Sequence, residues 1–410
     1  MKDIITELCD PSAEYRGHPF WSWNDKLDPD TLREQIREMK RVGLGGYFMH
    51  ARGGLITEYL SDDWFDCINA CVDEGKKTGM ESWSYDENGW PSGFGGGIVS
   101  GMGDRYHVRW LELHKYEATT PEGKLLGFYG ISKDGCRFLG MKIRAAKSAA
   151  RADEEIYYMV HEKNADYVDI LNPAVVKAFL KCTYEVYKKK LGEDFGGASM
   201  PGFFTDEPQF AEKGTFAFAN SDMDVILPWT PKLDEKYAER YGERIEDTLP
   251  ELFWDKPDGE VSRPRYLYHD FVCQLFTESF ADNCGDWSGK NGISMTGHMM
   301  QEDSLRSQTG ALGEAMRSYR RFQLPGIDML CGSHNYATAK QCQSAVHQYG
   351  REGMLSELYG VTDWDFDFRG HKHHGDWQAA LGVTVRVPHL SWMSMYGEAK
   401  RDYPASIFYQ

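Results

Sequence analysis

Asp206 and Glu207 stand side by side in the stretch GFFTDEPQF, directly after an apolar run and directly before Pro208. Other apolar runs also close on acids: Asp86 and Glu87 in SYDENGW, Glu302 in GHMMQED, and Glu357 in LSELYG. His50 and Arg52 in FMHARGG and His298 in TGHMM add nitrogen donors at similar edges. Two carboxyl groups with separated proton affinities can cleave a glycosidic bond, one protonating the leaving oxygen and the other activating water or attacking the anomeric carbon. Glu207 and Glu357 are the natural pair, Glu207 as acid and Glu357 as base or nucleophile. An isolated acid at such an edge serves equally well as a helix cap or a solvated charge, so recurrence at several edges carries the weight.

Aromatic residues recur at the same places. Trp21, Trp23, Tyr85, Trp90, Tyr359, Trp364 and Trp392 fall at or just beyond the ends of apolar runs. Their faces can stack on the C–H side of a sugar ring, and their edges donate hydrogen bonds. Ordinary core packing is the competing use of each one taken singly.

The elements that must position these groups follow from periodicity. Short apolar runs alternate with amphipathic helical patterns, which predicts parallel strands joined by crossover helices. PFWSWN leads into DPDTLREQIREMKRVG, where Asp28 caps, Pro29 takes the first helical position, and Leu32, Ile36 and Met39 form an apolar stripe ending at Gly43. GGYFMHARGG and MESWSYDENGWPSG continue the rhythm; MPGFFTDEP, GISMTGHMMQED, GIDMLCGSH, GMLSELYG and VTVRVPHLSWM complete eight strands. The spacing predicts a (β/α)8 TIM barrel over residues 1–94 and 170–410. Residues 95–169 alternate at period two between turns and predict an antiparallel β insertion after the third strand. In a barrel of this kind the active site is built on the carboxyl ends of the strands, where the acids fall. GFGGG, at Gly93 to Gly97, follows the third strand and lacks the context of a dinucleotide fingerprint.

Composition narrows the partners. The chain has 410 residues, 46 Lys plus Arg against 63 Asp plus Glu, and a formal charge of −17, with no basic run to track phosphates; nucleic acid is not expected. No apolar stretch of membrane-spanning length or leader-like N-terminus occurs, so no membrane partner is expected and the expected location is cytoplasmic. Nine cysteines, an odd number without CxxC spacing, point to free buried thiols in a reducing compartment. The histidines of GHKHHGD (His371, His373 and His374) match no closed zinc spacing and suggest a solvated loop.

The blocks PFWSWNDKLDPDTLREQIREMKRVGLGGYFMHARGGL, YDENGWPSGFGGG, FFTDEP, GHMMQED and HLSWMSMYGEAKRDYP resemble those of bacterial glycoside hydrolases related to family 106, the α-L-rhamnosidases. The resemblance implies a (β/α)8 catalytic barrel, inversion at the anomeric carbon and a calcium ion near the sugar. It carries the catalytic role to Glu207 and Glu357, with Glu302 in reserve. The substrate so implied is a terminal rhamnoside or related glycoside from plant or microbial polysaccharide. Members commonly continue into β-sandwich domains that wall the cleft, which implies weaker catalysis without them. A retaining β-galactosidase-like enzyme, also with acids on strands four and seven, and a non-catalytic carbohydrate-binding relative stay open. Carboxyl separation divides the two enzymes, with about 5–5.5 Å for retention and about 6.5–9.5 Å for inversion.

Overall fold

A computed structural model describes residues 4–118, 123–132, 135–211, 213, 225–253, 260–362 and 365–396. Trp364 and most of the YGEAKRDYP block lie outside the described residues. The strands, in chain order, begin with β1 Phe20–Trp23, β2 Gly46–Ala51 and β3 Glu81–Asn88. Next come β4 His107–Lys115, β5 Lys124–Ser132, β6 Gly135–Gly140 and β7 Glu155–Val168. After them run β8 Gly202–Asp206, β9 Val225–Pro228, β10 Ser294–His298 and β11 Leu324–Met329. The last are β12 Leu355–Leu358, β13 Val385–Pro388 and β14 Ser391–Trp392.

The eight expected barrel strands form one parallel sheet in the order β13-β12-β11-β10-β8-β3-β2-β1-β14. Its ends meet because β13 and β14 are two parts of the eighth strand: β13 pairs with β12 and β14 pairs with β1. The protein is an α/β barrel with helices between successive strands. The first crossover, Pro29–Arg41, forms as its sequence predicts, with the Asp28 side chain accepting from Thr31 N–H and Leu32, Ile36 and Met39 buried. NPAVVKAFLKCTYEVYKKKLG breaks into two helices at Thr183, whose backbone leaves the helical region and whose hydroxyl bonds back to Phe179 O at 2.7 Å.

The insertion is a five-stranded antiparallel sheet in the order β6-β5-β7-β4-β9. Its fifth strand comes from Val225–Pro228, well past residue 169, and pairs with β4. The helical excursion after β8 is thereby tied to the insertion, a link that local periodicity cannot register. The histidines of GHKHHGD lie on the helix Phe368–Ala380 instead of a loop. All nine cysteines are free, with Cys9 and Cys331 exposed. Among the described residues, no helix is long and apolar enough to cross a membrane.

Candidate active site

Side chains alternate along a strand, so one parity of each barrel strand faces the axis. The inward apolar set includes Phe20, Phe48, Tyr85, Phe204, Leu355 and Val387, packed with Leu390 and Trp392. The same parity, followed toward the carboxyl ends, reaches His50 from Phe48, Asp206 from Phe204 and Glu357 from Leu355. Register then sets these groups side by side, with His298 opposite Asp206 and Asp328 opposite Glu357. Asp328 was not singled out from the sequence, although an acid inside the apolar run GIDMLC carried the same signal as the others.

His298 is the centre of the cluster. Its Nε2 donates to Glu357 Oε2 at 2.7 Å and lies 3.5 Å from Asp206 Oδ1. Asp206 Oδ2 accepts from Tyr85 Oη at 2.6 Å. On the far side His389, also missed from sequence, brings Nε2 to 4.0 Å from Glu357 Oε1. Arg52 donates to His389 and to His50, each at 3.3 Å. Glu207 Oε2 accepts from Trp90 Nε1 at 2.7 Å, and Trp90 is 49% exposed, at the open side of the cluster.

The backbone around this face is strained. Glu207, Gln301, Cys331 and Tyr359, each one to three residues beyond a barrel strand, have φ of 46°, 49°, 57° and 75°. Non-glycine residues adopt that region at a cost, and such strain collects where side chains must be aimed.

Several expected site residues have other employment. Trp21 and Trp23 take the outward parity: Trp21 Nε1 donates to Gln35 of the first crossover helix at 2.9 Å, and the Trp23 ring packs on Trp64 of the helix Asp62–Thr78. Both are fully buried between sheet and helices. Asp86 also points outward, accepting from Tyr184 Oη at 2.8 Å and Ser92 Oγ at 2.6 Å. Glu87 is enclosed by the GFGGG loop, whose Gly93, Phe94 and Gly95 N–H groups donate to Oε2 at 3.1, 3.0 and 2.7 Å, while Gly96 N–H donates to Oε1. The glycines permit this wrap, with φ of 128°, 62° and 62° at Gly93, Gly95 and Gly96. Tyr359 turns toward His371 and Gly375 of the helix Phe368–Ala380. Trp392 stays in the inner apolar cluster, its Nε1 buried with no partner among the described residues. Glu302 is a brace: Oε1 accepts from Asp328 N–H at 2.5 Å and Oε2 from Tyr319 Oη at 2.8 Å.

Burial governs the proton affinities. It raises Glu207 to about 8, with Asp206 and Asp328 adding to the rise and His298 and Trp90 opposing it. It raises Glu357 to about 7, against the hydrogen bond and charge of His298. Glu302 is pushed up to about 8 by burial as well. For His298 burial works against the charged ring, yet the bond to Glu357 and the charges of Asp206 and Asp328 outweigh it and hold the pKa well above the usual value. His50 moves the other way, lowered by burial and by Arg52. The cluster therefore holds a charged imidazole between carboxyl groups, with Glu207 and Glu357 both raised by burial.

Among the described residues, two groups bring possible metal ligands within 4.8 Å of one another: Asp206, His298 and Glu357, and Glu207, His298 and Asp328. Calcium takes six to eight oxygens. Each group supplies two carboxylates and one ring nitrogen, and that ring donates its proton to Glu357. The donor set as it stands does not fit calcium.

No protein-family model and no curated protein matches the sequence. Among solved structures, the chain is similar to a rhamnosidase from Novosphingobium sp. PP1Y, with a TM-score of 0.63 at 13% identity over 97% of this chain and 57% of that one. It is also similar to the PgaB (BpsB) glycoside hydrolase domain from Bordetella bronchiseptica, with a TM-score of 0.48 at 9% identity, covering 93% and 94% of the two chains. The first likeness shows a shared fold, and the chain spans little more than half of that rhamnosidase's length. The second is too distant to add to it.

Proposed function

We propose that the protein is a glycoside hydrolase in which Glu207 is the acid and Glu357 the base, acting with inversion, and that α-L-rhamnosides are its first substrates to test. What supports this is a pair of carboxyls, Glu207 just past the end of β8 and Glu357 on β12, both raised by burial, with His298 on a strand between theirs. Glu207 gives its proton to the glycosidic oxygen as the bond to the anomeric carbon breaks. Glu357 takes a proton from water, whose oxygen forms the new bond to that carbon. His298 favours the ionised form of Glu357, and Trp90 offers a ring face beside Glu207. The resemblance to family 106 and the fold shared with a rhamnosidase both favour this sugar.

The test is hydrolysis of a panel of aryl glycosides, with the anomer of the first-formed sugar followed by NMR. Turnover of the α-L-rhamnoside with inversion is the expected result; no turnover across the panel would overturn the proposal. Glu207→Gln and Glu357→Gln should each lower kcat roughly 10²- to 10⁴-fold while the protein stays folded. A near-normal rate in either variant removes that residue from the mechanism.

A further inference from the structure

A second pocket lies away from the barrel mouth, between the insertion sheet and the segment that follows β9. It encloses about 670 Å³, within the range of small-molecule sites. Its cationic wall is laid down by strand register. Arg109 on β4 pairs with Lys163 on β7, and Lys124 on β5 pairs with His161 on β7. Like charges set across neighbouring strands disfavour a sheet unless something offsets them. Lys163 has Asp104, but Arg109 and Lys124 form no ion pair among the described residues. Arg109 Nε and His161 Nε2 are buried with no hydrogen-bond partner among the described residues. Burial together with Arg109, Lys124 and Lys163 pushes His161 down to about 4, so the ring is neutral and the local field positive.

The segment after β9 contributes acids to the lining, two of which pair locally: Glu235 with Lys232 and Glu246 with Arg244, each at 3.7 Å. Asp234 is the third. Aromatic side chains line the pocket as well. Tyr129 and Phe138 meet with ring centroids 5.5 Å apart, and Trp229 lines the same space. Aromatic faces beside hydrogen-bond donors suit a sugar ring, and unpaired cations suit a carboxylate. The chain as a whole, at a formal charge of −17, repels an acidic polymer, so attraction must be local.

We propose that this pocket binds a carboxylated sugar, the uronic-acid residue of an acidic saccharide, with Arg109 and Lys124 holding the carboxylate and Trp229 and Phe138 flanking the ring. The assignment does not depend on hydrolysis at the barrel mouth.

The probe is trigalacturonate, titrated calorimetrically into the intact chain, with its methyl ester as the neutral counterpart. Saturable binding should weaken by at least about fivefold in the exposed variant Lys124→Gln and further in Arg109→Gln, and by about tenfold for the ester. Added salt should weaken it, and Trp90→Ala at the barrel mouth should leave it unchanged. Three results would overturn the proposal: absence of binding, equal affinity in Lys124→Gln and Arg109→Gln, or equal affinity for the ester. Inorganic sulfate binding as tightly as the trisaccharide would reduce the pocket to an anion hole, and loss of binding in Trp90→Ala would move the sugar to the barrel; either result also overturns it.

Discussion

Replacing His298 with glutamine tests whether a buried cation organises the cluster. The ring is enclosed, donates to Glu357 at 2.7 Å and stands 3.5 Å from Asp206. Removing one partner of such a buried pair leaves uncompensated charge and costs about 3–5 kcal/mol. The pH dependence has a definite sign. The folded-state pKa of His298 is raised, so its contribution is full below the ordinary value of 6.5 and is lost only as pH climbs through the raised value. Glu207, Glu302 and Glu357 are raised to about 8, about 8 and about 7 from 4.5, so the stability their protonation lends is full below 4.5 and fades as pH passes through those values. The wild type should therefore be more stable at about pH 5.5 than at about pH 8.5. In His298→Gln the loss should be larger at the lower pH, where the contribution of the charged ring is full, than at the higher pH, where it begins to be lost. Urea unfolding followed by circular dichroism at both pH values measures this. A loss below about 1 kcal/mol at the lower pH, or a loss that grows toward the higher pH, would refute the role given to His298.

Trp90→Phe removes the donor to Glu207 Oε2, one of the influences holding that carboxyl down, so the alkaline limb of the rate profile should move to higher pH; an unmoved limb would separate Glu207 from that limb. Glu87→Gln leaves the loop N–H groups facing an amide and should destabilise the fold by about 2 kcal/mol or more in the same urea assay, with no change at all meaning that the loop is held otherwise. EDTA should leave glycoside turnover unchanged, because the charge at the cluster centre belongs to His298; loss of activity restored by calcium would show that the side chains rearrange around the ion.

Much of the fold was legible because it is local. The eight barrel strands stand at the runs that predicted them, and the first crossover helix has its cap, its proline and its buried stripe where the residues place them. The break at Thr183 and the helix under GHKHHGD were less legible, since both turn on side chain and backbone contacts that periodicity does not weigh.

By itself the sequence determined that acids end several strands of one barrel, since apolar runs, caps and glycines act within a few residues of each other. It could not determine which way β1 faces. Every residue of that strand is buried, so no apolar-polar alternation marks the axis side, and tertiary packing alone turned Trp21 and Trp23 toward the helices. The same holds for the acids. Glu207 and Glu87 look alike in sequence, but a glycine loop folds back on one while the other faces the barrel mouth. Asp328 and His389 joined the cluster through strand register and the closing of the sheet, which are long-range events. Proton affinities came last, because burial and a shared histidine exist only once β8, β10 and β12 lie side by side.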